Sequence, residues 1–401
     1  MNIVLAIEVI APGGAETFVL RLAKALEDKG NRVIVYAFYK NNFNETLHKM
    51  LAPNVQIIWP HMRLPWLARK IDGLFFKLKI KRSIQNKYIK GALKKLVQLT
   101  RADIIHSNLL KVDRVCTLAG KEMDIPVVTT IHGDYLQFYE KERKGEYIPL
   151  FNYFEKAKAN LANLKKVTCI SDKQISFFEK VFPSETFGKI NKIYNGYSGH
   201  VPQTGGETRA KLGIPGDAFV FGMVSRGIPE KGWQASIDAF NKLGRTDTHL
   251  VLVGGGDYLE TLKQKYAGQG NIHFTGHSSE PLEWINIFDV GLLPSTYASE
   301  SLPTAVIEYL CAGKPVIASD TGEIKNMLQE GEQRAGVALA IRDNKIDTDE
   351  LATAMLNYMD NKALYHTHTA NTAACFKKFD MDVCADKYMD LYIKAIAGIA
   401  N

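Results

Sequence analysis

Asn2 to Ile7 is an apolar run of strand length. A loop with Gly13-Gly14 follows, then a stretch in which Leu20, Leu22, Ala23 and Leu26 recur at helical spacing as far as Gly30, then a second apolar run from Val33 to Phe38. Strand, glycine loop, helix and strand in this order make a βαβ unit, which calls for a parallel sheet with helices on its faces. The alternation begins afresh at Phe219–Ser225 and runs through Leu250–Val253, Asn271–Gly276, Val290–Leu293 and Lys314–Ser319. A chain of 401 residues exceeds the usual extent of one core. The expected fold class is α/β, with two Rossmann-like doubly wound domains. The first covers residues 1–197. A glycine- and proline-bearing linker leads to the second at 209–376, and a helical segment, 377–401, ends the chain. A helix is expected at 147–164, and residues 349–376 and 380–398 read as helical. Ligands of such sheets bind beyond the carboxyl ends of the strands, which predicts a central cleft faced by both domains.

The corner after Val290–Pro294 is rich in chemistry. Pro303 reads as a first helical residue, where proline gives up only an amide that is unpaired anyway. Glu300 lies in the loop before that helix and Glu308 about one and a half turns inside it. The helix start, over Ser301, Leu302, Pro303 and Thr304, suits a phosphate or another anion. A carboxylate accepts two hydrogen bonds and donates none, so it suits paired sugar hydroxyls. On spacing alone the alternative is two solvated glutamates.

Other loops beyond strand ends add to this. Arg226 and Lys231 bracket one of them, and a fork of donors beside a mobile point charge suits a diphosphate. Gly13-Gly14 and Gly254-Gly255 let a ligand approach the backbone closely. The first loop is not G-x-G-x-x-G, so the dinucleotide fingerprint is absent. His132 follows Thr129–Ile131 at a strand's carboxyl end, where doubly wound proteins place ligand contacts.

The net charge of +7 is local. Residues 59–97 hold eleven Lys or Arg and one acid, Asp72, leaving the remainder of the chain slightly acidic. From 63 to 97 the pattern reads as helical and amphipathic, with Leu67, Ile71, Leu74, Phe75 and Leu78, then Ile84, Tyr88, Ala92 and Leu96, as its apolar side. One-sided charge of this kind suits an anionic membrane surface; the alternative is a surface helix with its stripe in the core. No groove-reading motif accompanies the patch, so no nucleic-acid partner is expected. The composition, 46% hydrophobic and 23% charged, excludes a disordered chain. The first residues do not read as a signal peptide. Five scattered cysteines read as reduced, buried thiols of a cytoplasmic protein.

Taken in chain order, Gly13-Gly14 with Glu16, His132-Gly133, Asn195-Gly196, Arg226 with Glu230-Lys231-Gly232, Gly254-Gly255-Gly256, Phe274-Thr275-Gly276 and Glu300 through Glu308 resemble family 4 glycosyltransferases. The resemblance covers nearly the whole chain; only residues 40–100 look individual. It implies the GT-B fold and a retaining hexosyltransferase using a nucleoside diphosphate sugar, UDP-sugar before GDP-sugar. The acceptor it implies is a glycan or lipid-linked glycan of cell-surface polysaccharide synthesis, bound by the first domain. Glu308 would hold the ribose hydroxyls. Glu300 would contact the donor sugar, with the backbone of Ser301 to Thr304 nearby. Arg226 and Lys231 would neutralise the diphosphate, Gly14 would lie at its phosphate end, and His132 would hydrogen-bond the sugar near the reacting carbon. The segment from Phe379 to Tyr392 would be the helix that returns to the first domain. Two positions depart from the family pattern: Arg226-Gly227-Ile228 is less regular, and Ser301 stands where many relatives carry glycine.

Asp347-x-Asp349 and Asp380-x-Asp382 match the D-x-D of metal-dependent transferases, but both fall where a helix begins and read as helix-start acids. No catalytic metal or cofactor is expected. The other readings are a sugar-nucleotide epimerase of the same fold, which needs no acceptor, and a non-catalytic sugar-nucleotide or glycan-binding protein. The anionic-membrane reading places the protein at the inner face of the cell membrane.

Overall fold

A computed structural model describes the chain apart from residues 79, 81, 147–151, 203–204 and 399–401. Two compact units result, one of Met1–Gly196 with Met381–Asn401 and one of Tyr197–Asp380.

Unit 1 is built on seven parallel strands, β1 (Asn2–Ile7), β2 (Arg32–Ala37), β3 (Gln56–Ile58), β4 (Ile104–Asn108), β5 (Val127–Ile131), β6 (Lys166–Cys169) and β7 (Ile190–Lys192), in the order β3-β2-β1-β4-β5-β6-β7. Ile3–Ile7 and Val33–Ala37 are buried throughout, as strands covered on both faces must be. Helix α1 (Gly14–Asp28) lays Phe18, Val19, Leu22 and Leu26 on the sheet. The final helix, Met381–Ala397, packs beside α1 and buries Met381, Cys384, Tyr388, Leu391 and Tyr392, a stripe at helical spacing. Both tyrosines reach polar groups of the sheet. The Tyr392 hydroxyl meets His106 Nδ1 at 2.7 Å, and Tyr388 meets Thr130 Oγ1 at 2.6 Å.

Unit 2 repeats the plan with β8 (Phe219–Val224), β9 (Thr248–Val253), β10 (Ile272–Gly276), β11 (Val290–Leu293), β12 (Val316–Ser319) and an edge strand Gly336–Leu339, in the order β10-β9-β8-β11-β12-edge. Tyr197 bridges Asp380, its N–H donating to Phe379 O at 2.7 Å, so the chain enters and leaves this unit side by side.

Several expectations change. The basic amphipathic run is two helices, α3 (Pro65–Lys77) and α4 (Ile84–Thr100), after a short α2 (Glu45–Leu51). The break has a cause: Asp72, the lone acid of the segment, accepts from the Ser83 hydroxyl at 2.7 Å and from the amides of Ile84 and Gln85, while Ser83 caps Asn86 N–H. α4 turns Ile89, Leu93, Leu96 and Val97 into the core, so that half is an ordinary surface helix. α3 buries only Ala68 and exposes Trp66, Leu74 and Phe76; its C-cap, Leu78, is exposed too. Lys79 and Lys81 lie outside the described residues. The stretch 349–376 is helical as expected, in two helices, Thr348–Asp360 and Lys362–Lys377, because Asn361 ends the first and caps the second through Leu364 N–H. Of the expected helix 147–164, residues 147–151 are outside the description and Tyr153–Asn163 is helical. Cys311 is partly exposed; the other four thiols are buried.

Candidate active site

In unit 2 the strand order reverses between β8 and β11, and ligands of a doubly wound sheet gather beyond the carboxyl ends at such a point. β8 exits into Ser225-Arg226. β11 exits into the loop that carries Glu300.

Lys231 ends a single helical turn, Pro229–Lys231, and is buried. Its Nζ stands 2.5 Å from Glu300 Oε2, with the two side chains 10% and 8% exposed. Ser295 Oγ donates to the same oxygen at 2.9 Å. Tyr297 presents its ring to both cations, the Arg226 guanidinium at 5.5 Å and Lys231 Nζ at 5.0 Å. Arg226 is exposed, and its carbonyl is fixed by the Trp233 indole N–H at 2.8 Å. Lys231, Glu300 and Arg226 therefore form one cluster, with Glu300 as the ion-pair partner of Lys231.

Pro303 is extended, with φ −67° and ψ 119°, and caps the helix Thr304–Cys311 instead of opening it. It has no N–H, so of the stretch 301–304 only Ser301, Leu302 and Thr304 can donate. The amides of Ser301 and Leu302 have no hydrogen-bond acceptor among the described residues. Glu308 is the fifth residue of this helix and is 8% exposed. Gly254 directly follows β9, where a Cβ would stand 2.1 Å from Ser225 O, and Gly227 N–H donates to Gly255 O at 2.9 Å. The glycine exit thus lets the β8 and β9 loops touch.

Four participants were not singled out from sequence. Ser295 and Tyr297 hold the cluster as just described. After β12, Glu323 N–H donates to Ser301 O at 2.8 Å, and Gly322, at φ +57°, sits where a Cβ would lie 2.3 Å from Glu300 O. These two residues fix the backbone that carries Glu300. No local pattern marks them in the sequence; the adjacency of β12 and β11 brings them there.

In unit 1 the order reverses between β1 and β4. Gly13 caps α1, Gly14 is its first residue, and both are exposed. His132 follows β5. Its Nε2 donates to Asn108 Oδ1 at 3.0 Å, at the end of β4, and its ring lies 5.5 Å from Phe18 of α1. Asn108 Nδ2 donates to Ala6 O at 3.3 Å, which turns Oδ1 toward the imidazole. That leaves Nδ1 as the acceptor of the neutral ring.

Burial holds His132 well below its ordinary range, at about 4, and His106 at about 3. In the unfolded chain both rings protonate near about 6.5. Between that value and their folded values the unfolded state binds more protons, so unit 1 is most stable above about pH 6.5 and loses stability as the pH falls toward 4. Urea unfolding at a series of pH values should show this slope. His132→Asn should make it shallower, and an unchanged slope would remove His132 from the account.

Asp347 accepts from the amides of Asp349 and Glu350 and so caps the helix it precedes. Asp380 directly precedes the final helix.

Residues 206–374 match the family described as "Glycosyl transferases group 1", and residues 12–198 match "Glycosyltransferase Family 4". Among curated proteins, the chain is 28% identical over 228 residues to the "Putative teichuronic acid biosynthesis glycosyltransferase TuaC" of Bacillus subtilis, covering 56% of this chain and 55% of that one. It is 22% identical over 398 residues to the phosphatidyl-myo-inositol mannosyltransferase of Mycolicibacterium smegmatis, covering 95% and 90%. The chain spans about half the length of the first curated relatives it matches, 55% and 45%. Among solved structures, Anabaena Alr3699/HepE in complex with UDP is similar in fold, with a TM-score of 0.74, 20% identity and coverage of 97% and 99%.

Proposed function

The chain belongs to glycosyltransferase family 4, and from that premise we propose that it is a retaining hexosyltransferase acting in cell-envelope glycan or glycolipid synthesis. The donor is a nucleoside diphosphate sugar, UDP-sugar ahead of GDP-sugar, and the acceptor is a hydroxyl of a glycan or lipid-linked glycan. The observation that carries this reading is the buried Lys231–Glu300 pair beyond the β8/β11 reversal, with Glu308 on the helix that follows.

Lys231 and Arg226 neutralise the charge that gathers on the diphosphate as the bond to the sugar breaks, and the amides of Ser301 and Leu302 add donors there. Glu308 takes the ribose hydroxyls. His132 accepts a sugar hydroxyl at Nδ1. Glu300 holds Lys231 in place and contacts the sugar. Its Oε2 already accepts from Lys231 and Ser295, which makes it a poor nucleophile. The acceptor oxygen therefore attacks from the leaving-group side, its proton passes to the departing phosphate, and the anomeric configuration is retained. A sugar trapped covalently on Glu300 would refute this step. No metal is required; complete loss of activity in EDTA, restored by manganese, would count against that.

Among the described residues no helix is long and apolar enough to cross a membrane. We place the protein on the inner face of the cell membrane, held by the exposed Trp66, Leu74 and Phe76 of α3 and its C-cap Leu78, amid the cations of α3.

Thermal unfolding with UDP, GDP and ADP, each in EDTA, is the direct test. The matching nucleotide raises the melting temperature by mass action. A family-wide screen of its sugars with NMR of the product then reads donor and anomer. No shift with any nucleotide would overturn the donor site; donor conversion without an acceptor would favour an epimerase.

A further inference from the structure

Unit 1 contains a cavity of about 480 Å³ walled by α3, α4, the start of α5 (Leu110–Met123) and the helix Tyr153–Asn163. One part of its wall is apolar. Phe38 and Val115 are buried there, and Phe76 and Leu118 leave much of their surface open.

The rest is cationic, and the charge is not cancelled. Among the lining bases, Lys90 pairs with Glu122 and Lys111 with Glu8. Arg82, Lys87 and Arg114 have no acid within ion-pair distance among the described residues. The two lining carboxylates are already engaged. Glu8 takes Lys111, and Asp72 takes the Ser83 hydroxyl and two amides of α4. An anion entering here meets three cations outside any ion pair, against one lining carboxylate, Asp72, whose hydrogen-bond partners are neutral.

A third feature points to a ligand. Asn160 is 1% exposed, and its Nδ2 donates to Leu110 O at 3.4 Å. Its Oδ1 is buried with no hydrogen-bond partner. Native interiors leave few such acceptors unsatisfied, because each one costs its desolvation. A hydroxyl on the ligand would supply the missing donor.

Cations, an unsatisfied acceptor and an apolar wall suit one class of molecule. We propose that this cavity seats the head of a phosphate-bearing lipid acceptor, its phosphate on Arg82, Lys87 and Arg114, a head-group hydroxyl on Asn160 Oδ1, and its chain along Phe76 and Leu118. The assignment rests on the transferase reading above, since it names the acceptor of that reaction. It differs from attraction to a membrane surface, which needs outward charge but no enclosed acceptor. The phosphate can come from a glycerophospholipid or from a polyprenyl diphosphate.

Calorimetric titration of the full chain with soluble probes tests this. The probes are dihexanoyl phosphatidylglycerol, farnesyl diphosphate, inorganic phosphate and octyl glucoside. At least one lipid phosphate binds ten-fold or more tightly than inorganic phosphate and octyl glucoside, and the tighter of the two names the source. Lys87→Ala and Arg114→Ala each weaken it about ten-fold, the size expected for a hydrogen bond to a charged group. Lys121→Ala, two turns along α5 from Arg114, leaves it unchanged. Asn160→Leu weakens phosphatidylglycerol and spares farnesyl diphosphate, which has no hydroxyl to donate from a head group.

Equal binding of inorganic phosphate and the lipids, equal effects of Lys121→Ala and the cavity variants, or no lipid binding at all would overturn the proposal. The nucleotide-induced melting shift is measured on the same samples. Lipid binding lost from a protein that still responds to nucleotide fails this inference alone. Lipid binding without any nucleotide response upholds a lipid-phosphate site but overturns the transferase reading and, with it, the ligand's role as acceptor.

Discussion

Lys231→Met lowers the rate of sugar transfer by about 10²–10³-fold, the usual cost of removing one group aimed at developing negative charge. It also destabilises unit 2 by roughly 3–5 kcal/mol, because it leaves Glu300 buried without its counter-charge. The pair justifies both numbers: its side chains are 10% and 8% exposed and its charges stand 2.5 Å apart. Glu300→Gln added to Lys231→Met separates the two effects. Replacing both partners removes the orphaned charge, so most of the lost stability returns while activity does not. Chemical denaturation and steady-state transfer, measured on the wild type, the single variant and the double variant, decide the matter. A double variant as unstable as the single one would mean that Lys231 supports the fold through packing and not through Glu300.

Glu308→Ala removes most of the affinity for the nucleotide. Two hydrogen bonds from ribose hydroxyls to a carboxylate are worth about 1.5–3 kcal/mol each, so their loss weakens binding by roughly 10²–10⁴-fold. At a ligand concentration one hundred times its Kd the wild type gains about 2.7 kcal/mol of stability. The variant at that concentration gains almost none. Glu308→Gln falls between them, since the amide keeps one acceptor oxygen and loses the charge. Calorimetric titration with the nucleotide that raises the melting temperature reads all three. If Glu308→Ala binds like the wild type, the ribose lies elsewhere and the helix Thr304–Cys311 serves only the core.

The parallel sheets are legible in the chain because buried parallel strands read as unbroken apolar runs between glycine exits. Val290–Leu293 and Leu250–Val253 show this directly. The reactive side chains are legible too, since Arg226, Lys231, Glu300 and Glu308 all follow strand ends. What Glu300 touches is not. A carboxylate next to a lysine 69 positions away leaves no local pattern, and only the fold brings them to one oxygen–nitrogen contact. The same holds for Gly322 and Glu323, whose service to Glu300 depends on the neighbouring strand. The break between α3 and α4 was hidden for another reason. Apolar spacing continues across it, and the stop comes from Asp72 reaching forward to the amides of α4.

The final helix has a consequence for biosynthesis. All seven strands of unit 1 leave the ribosome before the first residue of unit 2, yet Tyr388 and Tyr392 are made only after the whole of unit 2. Until they arrive, His106 and Thr130 lack their hydroxyl partners, and the apolar surface beside α1 lacks its cover. A nascent chain in that state exposes a sheet protein's interior for the whole time needed to synthesise unit 2, which is when chaperones find their clients. A stop codon ahead of Met381 would make that exposure permanent.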